Sequence, residues 1–237
     1  MCRGSDGGPG SKDPGRYSYD VATPLDLIAV AYHVDYFQIS SKAPLDQQRF
    51  DLAAKVPEGA TKEQFREMMR NLLAERFHLK VHMESREFPA YELVVAKSGL
   101  KLKESGEGGA AEAQQQSREE GFPVLPAGRP GIASTRSLSG GYELVRMRAR
   151  QEPLSVLAEM IVVSTDRKVV NRTGLSGKYD FTFEYSIELP GGAPGQPPAV
   201  SDLLDALPQQ LGLQLVAKQV PFDVVVVESM DGTPTEN

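Results

Sequence analysis

Histidine is the residue type whose spacing in this chain first suggests chemistry. His78 and His82 stand four residues apart, and Glu84 follows two residues later. All three side chains would lie on one face of a strand, as ligands of a shared metal ion must. However, the glutamate of the zinc-peptidase motif is missing between the histidines, and Lys80 would place a repelling positive charge on the same face. We therefore expect a solvated strand face and no metal.

Other motifs that would anchor a catalytic or cofactor site are missing from the sequence. There is no Gly-x-Ser-x-Gly turn for a hydrolase, and no glycine-rich phosphate or dinucleotide loop after a predicted strand. The single cysteine, Cys2, lies among turn-forming residues that cannot hold a nucleophile in place. We expect no catalytic residue and no cofactor. The residues leave open whether the chain is an enzyme and favour a non-enzymatic role.

Residues 169–181 form the most distinctive stretch of the sequence. Gly174 and Gly177 punctuate a turn between two predicted strands, and Arg172 and Asp180 flank that turn. An ion pair across the turn is the structural interpretation of these two charges. Loops that carry such residues also serve as contact sites. Arg172 and Asp180 are therefore the candidate binding residues.

The order of the predicted elements repeats along the chain. Residues 16–97 follow the series strand, helix, strand, strand, helix, strand, strand, and residues 140–229 follow the same series. The pattern predicts an α+β fold of two similar halves, in which helices pack on small, mainly antiparallel sheets. An internal duplication would explain it. Leu72 and Leu204 lie on corresponding helices, so we expect both to be buried.

Local signals mark where the predicted helices begin and end. Thr23 with Asp26 and Thr61 with Gln64 have the spacing of capping boxes at helix starts. Pro208 interrupts the apolar stripe of the last helix, which predicts a kink or an early end there.

Segments without apolar periodicity separate these elements. We expect residues 1–15 to be a disordered start and residues 98–139 to be a flexible linker between the halves. Residues 190–198 are a shorter insert, and residues 230–237 form a tail.

Composition narrows the class of partner. The net charge of −6 argues against a nucleic-acid backbone as the main partner. No apolar run is long enough for a membrane helix, and the start of the chain has no apolar centre of a signal peptide.

A resemblance to a known family is strongest at residues 169–181. It extends to residues 7–16, 72–82, 91–97, 210–215 and 234–237. These stretches resemble a family of uncharacterised proteins that is heavily duplicated in the genomes of soil acidobacteria (Solibacter type). The resemblance implies a domain of unknown function that is usually exported. Some similar domains follow a membrane metallopeptidase of the β-lactam-sensor type. The export signal and upstream strand of family members are not seen in this sequence.

Two hypotheses about function follow. The first is a non-enzymatic extracytoplasmic module, periplasmic or secreted, that binds an envelope protein or peptide. Exposed strand edges would support it, as would the similarity of the element order to short modules of secretins and TonB-dependent receptors. The alternative is a small-molecule-binding or hydrolytic domain with a site between the two halves.

Overall fold

A computed structural model of the chain describes residues 4–106, 121–126, 128–165, 167–190 and 200–235. Cys2, the middle of the predicted 98–139 linker and most of the predicted 190–198 insert lie outside the described residues.

The described residues contain four α-helices and ten strands, which confirms the mixed α+β class. The helices are α1 (Pro24–Tyr32), α2 (Lys62–Phe77), α3 (Leu154–Ile161) and α4 (Leu203–Ala206). The strands are β1 (Gly4–Gly7), β2 (Arg16–Ala22), β3 (Ile39–Ser41), β4 (Phe50–Lys55), β5 (Lys80–Val95), β6 (Gly131–Ser139), β7 (Tyr142–Pro153), β8 (Lys168–Asn171), β9 (Lys178–Glu188) and β10 (Leu213–Ser229). Short helical turns occur at Tyr36–Gln38, Val162–Ser164 and Leu207–Leu211.

The predicted helix boundaries are confirmed at both capping boxes. Thr23 and Asp26 exchange hydrogen bonds at the start of α1, and Thr61 and Gln64 do so at the start of α2. The early end at Pro208 is also confirmed. The α4 helix ends at Ala206 and is followed by a π-helical turn, Leu207–Leu211. The α-helix cannot continue regularly because Pro208 has no N–H to donate to the preceding turn.

Three sheets are formed. β1, β2 and β4 make an antiparallel sheet in the order β1-β2-β4, and β6, β7 and β9 make another in the order β6-β7-β9. The third sheet has the order β3-β10-β5-β8. Its outer pairs, β3 with β10 and β5 with β8, are parallel.

The chain divides into two compact units whose boundaries differ from the predicted halves. Unit 1 contains residues 1–88 and 221–237, and unit 2 contains residues 89–220. The halves 16–97 and 140–229 do not match these units, because β5 and β10 each contribute to both. β3 pairs with the unit 1 part of β10, and β8 pairs with the unit 2 part of β5. The order strand, helix, strand, strand, helix, strand occurs twice, from β2 to β5 and from β7 to β10. The two strands predicted at the end of each half are instead one long strand, β5 or β10. The duplication itself remains a prediction.

Segments predicted to be irregular carry regular hydrogen bonding. Gly4–Gly7 pairs with β2, so the predicted disordered start at 1–15 contains a strand. Gly131–Ser139 pairs with β7 along its whole length, so the predicted linker ends in a strand. In the predicted tail, the N–H of Asp231 donates to the carbonyl of Phe77 at 2.8 Å. Backbone pairing needs no apolar periodicity, and the sequence pattern therefore missed these segments.

Each unit has its own hydrophobic core. In unit 1, α1 and α2 contribute Leu27 and Leu73, and β10 contributes Val225. The core of unit 2 is built mainly from apolar residues of β7, β9, α3 and α4.

Within the described residues, no helix is both long and apolar enough to span a membrane.

The predicted equivalence of Leu72 with Leu204 is wrong. Leu72 is half-buried, but Leu204 is 54% exposed. The turn of α4 instead directs Leu203 and Leu207 into the core, at 7% and 0% exposure. Leu203, Leu204 and Leu207 lie close together in the sequence, so the apolar pattern alone does not indicate which of them faces the core.

Candidate functional site

The two histidines of the 78–82 spacing are not brought together. His78 ends α2 in a left-handed conformation, and its Nδ1 lies 2.7 Å from an Asp231 carboxylate oxygen. His82 lies on β5 with carboxylates on both sides of its ring. Within the described residues, no group of three or more His, Cys, Asp or Glu side chains is arranged to hold a metal ion.

Arg172 and Asp180 have separate partners and do not pair across their turn. Arg172 Nε lies 3.9 Å from Glu92 Oε1. Asp180 Oδ1 accepts hydrogen bonds from the backbone N–H of Gln151 at 2.6 Å and from Ser105 Oγ at 2.8 Å. Asp180 therefore holds the local backbone in place. The predicted ion pair across the turn is therefore not formed, and a binding role of these two residues stays a prediction.

A charged network lies on β5 and β10 in unit 1. His82 Nε2 is 2.9 Å from Glu84 Oε1, and His82 Nδ1 is 2.8 Å from Glu228 Oε1. Arg86 Nη2 lies 2.7 Å from the other Glu84 oxygen. Hydrogen bonds to Glu84 and then to Glu228 raise the pKa of His82, and the His82 and Arg86 partners lower the pKa of Glu84. A protonated His82 ring satisfies both carboxylates, whereas a neutral ring can donate to only one.

Three phenylalanine rings form a cluster in the same unit. Phe37 packs edge-to-face on Phe88 at a centroid distance of 5.1 Å and on Phe222 at 5.4 Å. Phe88 and Phe222 are 6.2 Å apart. Phe37 remains 40% exposed and its neighbour Tyr36 is 55% exposed. Such aromatic area on a surface is typical of interaction sites.

Local hydrogen bonds fix the turn that presents Phe37. The side-chain amide of Gln38 donates to the carbonyl of Asp223 on β10 at 2.8 Å. The Tyr36 hydroxyl donates to Asp26 at the start of α1, and this bond raises the pKa of Tyr36. The turn is thus tied to both a strand and a helix, which positions its aromatic side chains.

The cluster and the charged network lie on one face of the β5 and β10 strands. Side chains alternate along a strand, so residues 82, 84, 86 and 88 of β5 point the same way. On β10, Phe222 and Glu228 share that direction, while Val225 and Val227 point into the core of unit 1. We call the side that carries Phe88, Phe222 and the charged network the aromatic face.

The edge strand β3 connects the aromatic cluster to a recess. Phe37 lies just before β3, and the segment at residues 41–48, which begins at the last residue of β3, contributes to the lining of a recess of about 370 Å³. Leu45, Val227 and Met230 contribute apolar surface to the recess, and Lys42 and Glu228 contribute charge. This volume lies near the lower end of the range of about 300–1,000 Å³ that is typical of ligand pockets. A bound side chain would fit it.

The sequence reasoning missed this site. Its signal is a pair of phenylalanines next to prolines, Phe88 before Pro89 and Phe222 after Pro221. Each of these pairs is also typical of an ordinary apolar strand, so it does not by itself indicate a site. The third ring, Phe37, comes from a distant segment, and no sequence pattern connects it to the other two.

The matching part of the chain covers both units. Residues 25–230 match the DUF3738 family, described as a protein of unknown function, and the chain belongs to this family. No curated protein and no solved structure matches the chain.

Proposed function

We propose that this protein is a non-enzymatic interaction module that binds an extended segment of a protein or peptide along β3 of unit 1. The observation that supports this proposal is the juxtaposition of an edge strand, an exposed cluster of three phenylalanines and a recess. The cluster lies before the strand and the recess lies after it.

Backbone pairing would supply much of the affinity. β3 is an edge strand of its sheet and is only three residues long, Ile39–Ser41. Such an edge offers N–H and C=O groups to an incoming strand. Pairing by strand addition depends little on the side chains of the ligand, so the two flanking features must provide selectivity.

The aromatic face would recognise an apolar side chain of the ligand. Partly exposed phenylalanine rings lose water when a partner covers them, and buried aromatic residues dominate the binding energy of many interfaces. The charged network of His82, Glu84, Arg86 and Glu228 lies on the same face. These charges would form a polar rim, and a partner that disrupts their ion pairs without replacing them would bind less well.

The family resemblance supports an extracytoplasmic location for this activity. The family that the chain resembles is expected to consist mostly of exported acidobacterial proteins, some of whose domains follow a metallopeptidase of the β-lactam-sensor type. We therefore propose a periplasmic or secreted protein whose partner is another envelope protein or a peptide.

Selection of peptides from a random phage-displayed library on the full chain tests this function. Enriched clones should bind the parent protein and lose roughly tenfold or more in affinity to Phe37→Ser and Phe222→Ser variants. Leu204→Ser is the matched control, because it removes an apolar side chain that is exposed in unit 2. Circular dichroism should show that all variants are folded.

Two results would contradict the proposal. One is a selection that enriches no peptide at all. The other is a set of clones whose binding is equal for the parent, Phe37→Ser and Leu204→Ser proteins.

A further inference from the structure

A second recess lies in unit 1 beside the first turns of α2. It has a volume of about 240 Å³. Its rim is formed by the loop at residues 7–9, by His33 and by Lys62 and Arg66 of α2, and its apolar surface comes from Val30 and Phe65. It shares none of its lining residues with the recess at residues 41–48.

The charge of this recess is opposite to that of the whole chain. The protein has 32 acidic and 26 basic residues, yet the side chains that line this recess include Lys62, Arg66 and His33 and no carboxylate. The nearest acid along α2, Glu63, is bonded to Arg66 at 3.2 Å and to Arg70 at 3.0 Å. One carboxylate thus serves two guanidinium groups. In the part of the chain that the structure describes, Lys62 makes no ion pair.

The loop opposite these cations is held in one conformation. Gly7 and Gly8 have φ values of 85° and 83°, which side chains rarely allow. A Cβ on Gly7 would come within 1.9 Å of the Arg16 carbonyl oxygen. The N–H of Gly8 donates to that same carbonyl at 2.7 Å. The wall of the recess is therefore formed before any ligand arrives.

We infer that this recess binds a small oxyanion, such as the phosphate or carboxylate group of a small molecule. Arginine offers a planar pair of donors to such a group, and lysine offers a mobile point charge. The volume of about 240 Å³ is below the range of about 300–1,000 Å³ for drug-sized ligands. The site would therefore take an anionic group with little else attached. It does not depend on the proposed peptide binding at β3.

Titration of the full chain with inorganic phosphate, followed by amide NMR spectra, tests the inference. Ionic strength is held constant at about 0.15 M with sodium chloride, so that screening cannot imitate binding. We expect saturable shifts at Gly8, Lys62 and Arg66. A Lys62→Gln, Arg66→Gln double variant should weaken the affinity roughly ten- to a hundredfold, because it removes two charge-assisted contacts.

A matched control separates a site from general charge. Lys80→Gln with Arg49→Gln removes the same charge from exposed positions elsewhere in unit 1 and should leave the affinity unchanged. Sulfate and acetate arms identify the preferred group, and saturable binding of any one of the three anions at these residues supports the site. The inference is overturned if none of them produces saturable shifts there, or if both double variants weaken binding equally.

Discussion

Both units contain a bulged strand whose left-handed residue is held by an aspartate. In unit 1, Val21 has φ 59° and its N–H donates to Asp51 at 2.8 Å. In unit 2, Gln151 has φ 51° and its N–H donates to Asp180 at 2.6 Å. Each bulge interrupts the strand that leads into the first helix of its unit.

The two bulges differ in what else they hold. Asp180 is half-buried and also accepts a hydrogen bond from Ser105, whereas the bond to Asp51 is exposed. Conversely, unit 1 places a β-branched valine in a conformation that β-branched residues avoid. The aspartate therefore holds more of the surrounding structure in unit 2, whereas the left-handed residue carries more backbone strain in unit 1. This correspondence of detail is what a duplicated ancestor would leave, and the following predictions probe it.

The largest effects are expected in the helix cores. Leu73 lies five residues before the left-handed end of α2 at His78, and Leu207 lies five residues before Gly212, the left-handed residue that ends the turn after α4. Both are 0% exposed. Leu73→Ala and Leu207→Ala should each reduce the free energy of unfolding by about 2–5 kcal/mol in a denaturant titration. Leu204→Ala should cost less than about 0.5 kcal/mol. If Leu207→Ala left the free energy of unfolding unchanged, Leu207 would not occupy a core position that corresponds to that of Leu73.

Asp180 and Asp51, which accept hydrogen bonds from the left-handed residues, should contribute differently to the free energy of unfolding. Asp180→Ala should destabilise by about 1–3 kcal/mol, because it leaves the Gln151 N–H and the Ser105 hydroxyl without an acceptor in a half-buried site. Asp51→Ala should cost about 0.5–1.5 kcal/mol, since water can replace the lost acceptor. Urea unfolding of the two variants measures the difference. An Asp51 variant that proves less stable than the Asp180 variant would reverse the comparison.

Relief of the strained valine should be a smaller and stabilising effect. Asparagine tolerates the left-handed conformation better than valine does, so Val21→Asn should raise the free energy of unfolding by roughly 0.5–1 kcal/mol. The unbranched Gln151 gains less from the same change. Thermal unfolding of Val21→Asn beside Gln151→Asn compares the two bulges, and a clear loss of stability in Val21→Asn would show that the valine side chain contributes more by packing than it costs in strain.

The smallest expected effect is the pH dependence of the charged network. Glu84 and Glu228 raise the pKa of His82 above its ordinary value. A raised pKa in the folded state means that the network stabilises the fold at pH below the unfolded value. That contribution is lost as the pH rises through the folded value. NMR titration of the His82 ring should show the raised pKa, with Glu84→Gln lowering it more than Glu228→Gln. An unchanged pKa in both variants would show that the hydrogen bonds are not formed in solution.

Sequence patterns were sufficient for local features and insufficient for pairings. The capping residues Thr23 and Thr61 and the break at Pro208 act through their own helical turns, so their effects could be predicted. The pairing of β3 with β10 joins segments far apart in sequence, and nothing local specifies it. For the same reason, the aromatic cluster could not be predicted, because its three rings come from distant segments that meet through the pairings of β3 with β10 and of β10 with β5.

Arg172 and Asp180 show the same limit for candidate site residues. Their positions beside a turn suggested a mutual ion pair. Asp180 instead bonds to the N–H of a strained residue, Gln151, on the neighbouring strand. Backbone conformations such as the left-handed Gln151 leave no mark in the sequence when the residue is not glycine.

The most direct test of the proposed binding site is a map of where a selected peptide contacts the protein. A peptide from the phage selection would be titrated into isotope-labelled protein, and amide shifts would be followed by NMR. Binding along β3 predicts that the largest shifts fall on residues 37–48 and around Phe88 and Phe222. Shifts confined to unit 2, for example around the exposed side chains of Leu138 and Leu204, would contradict it.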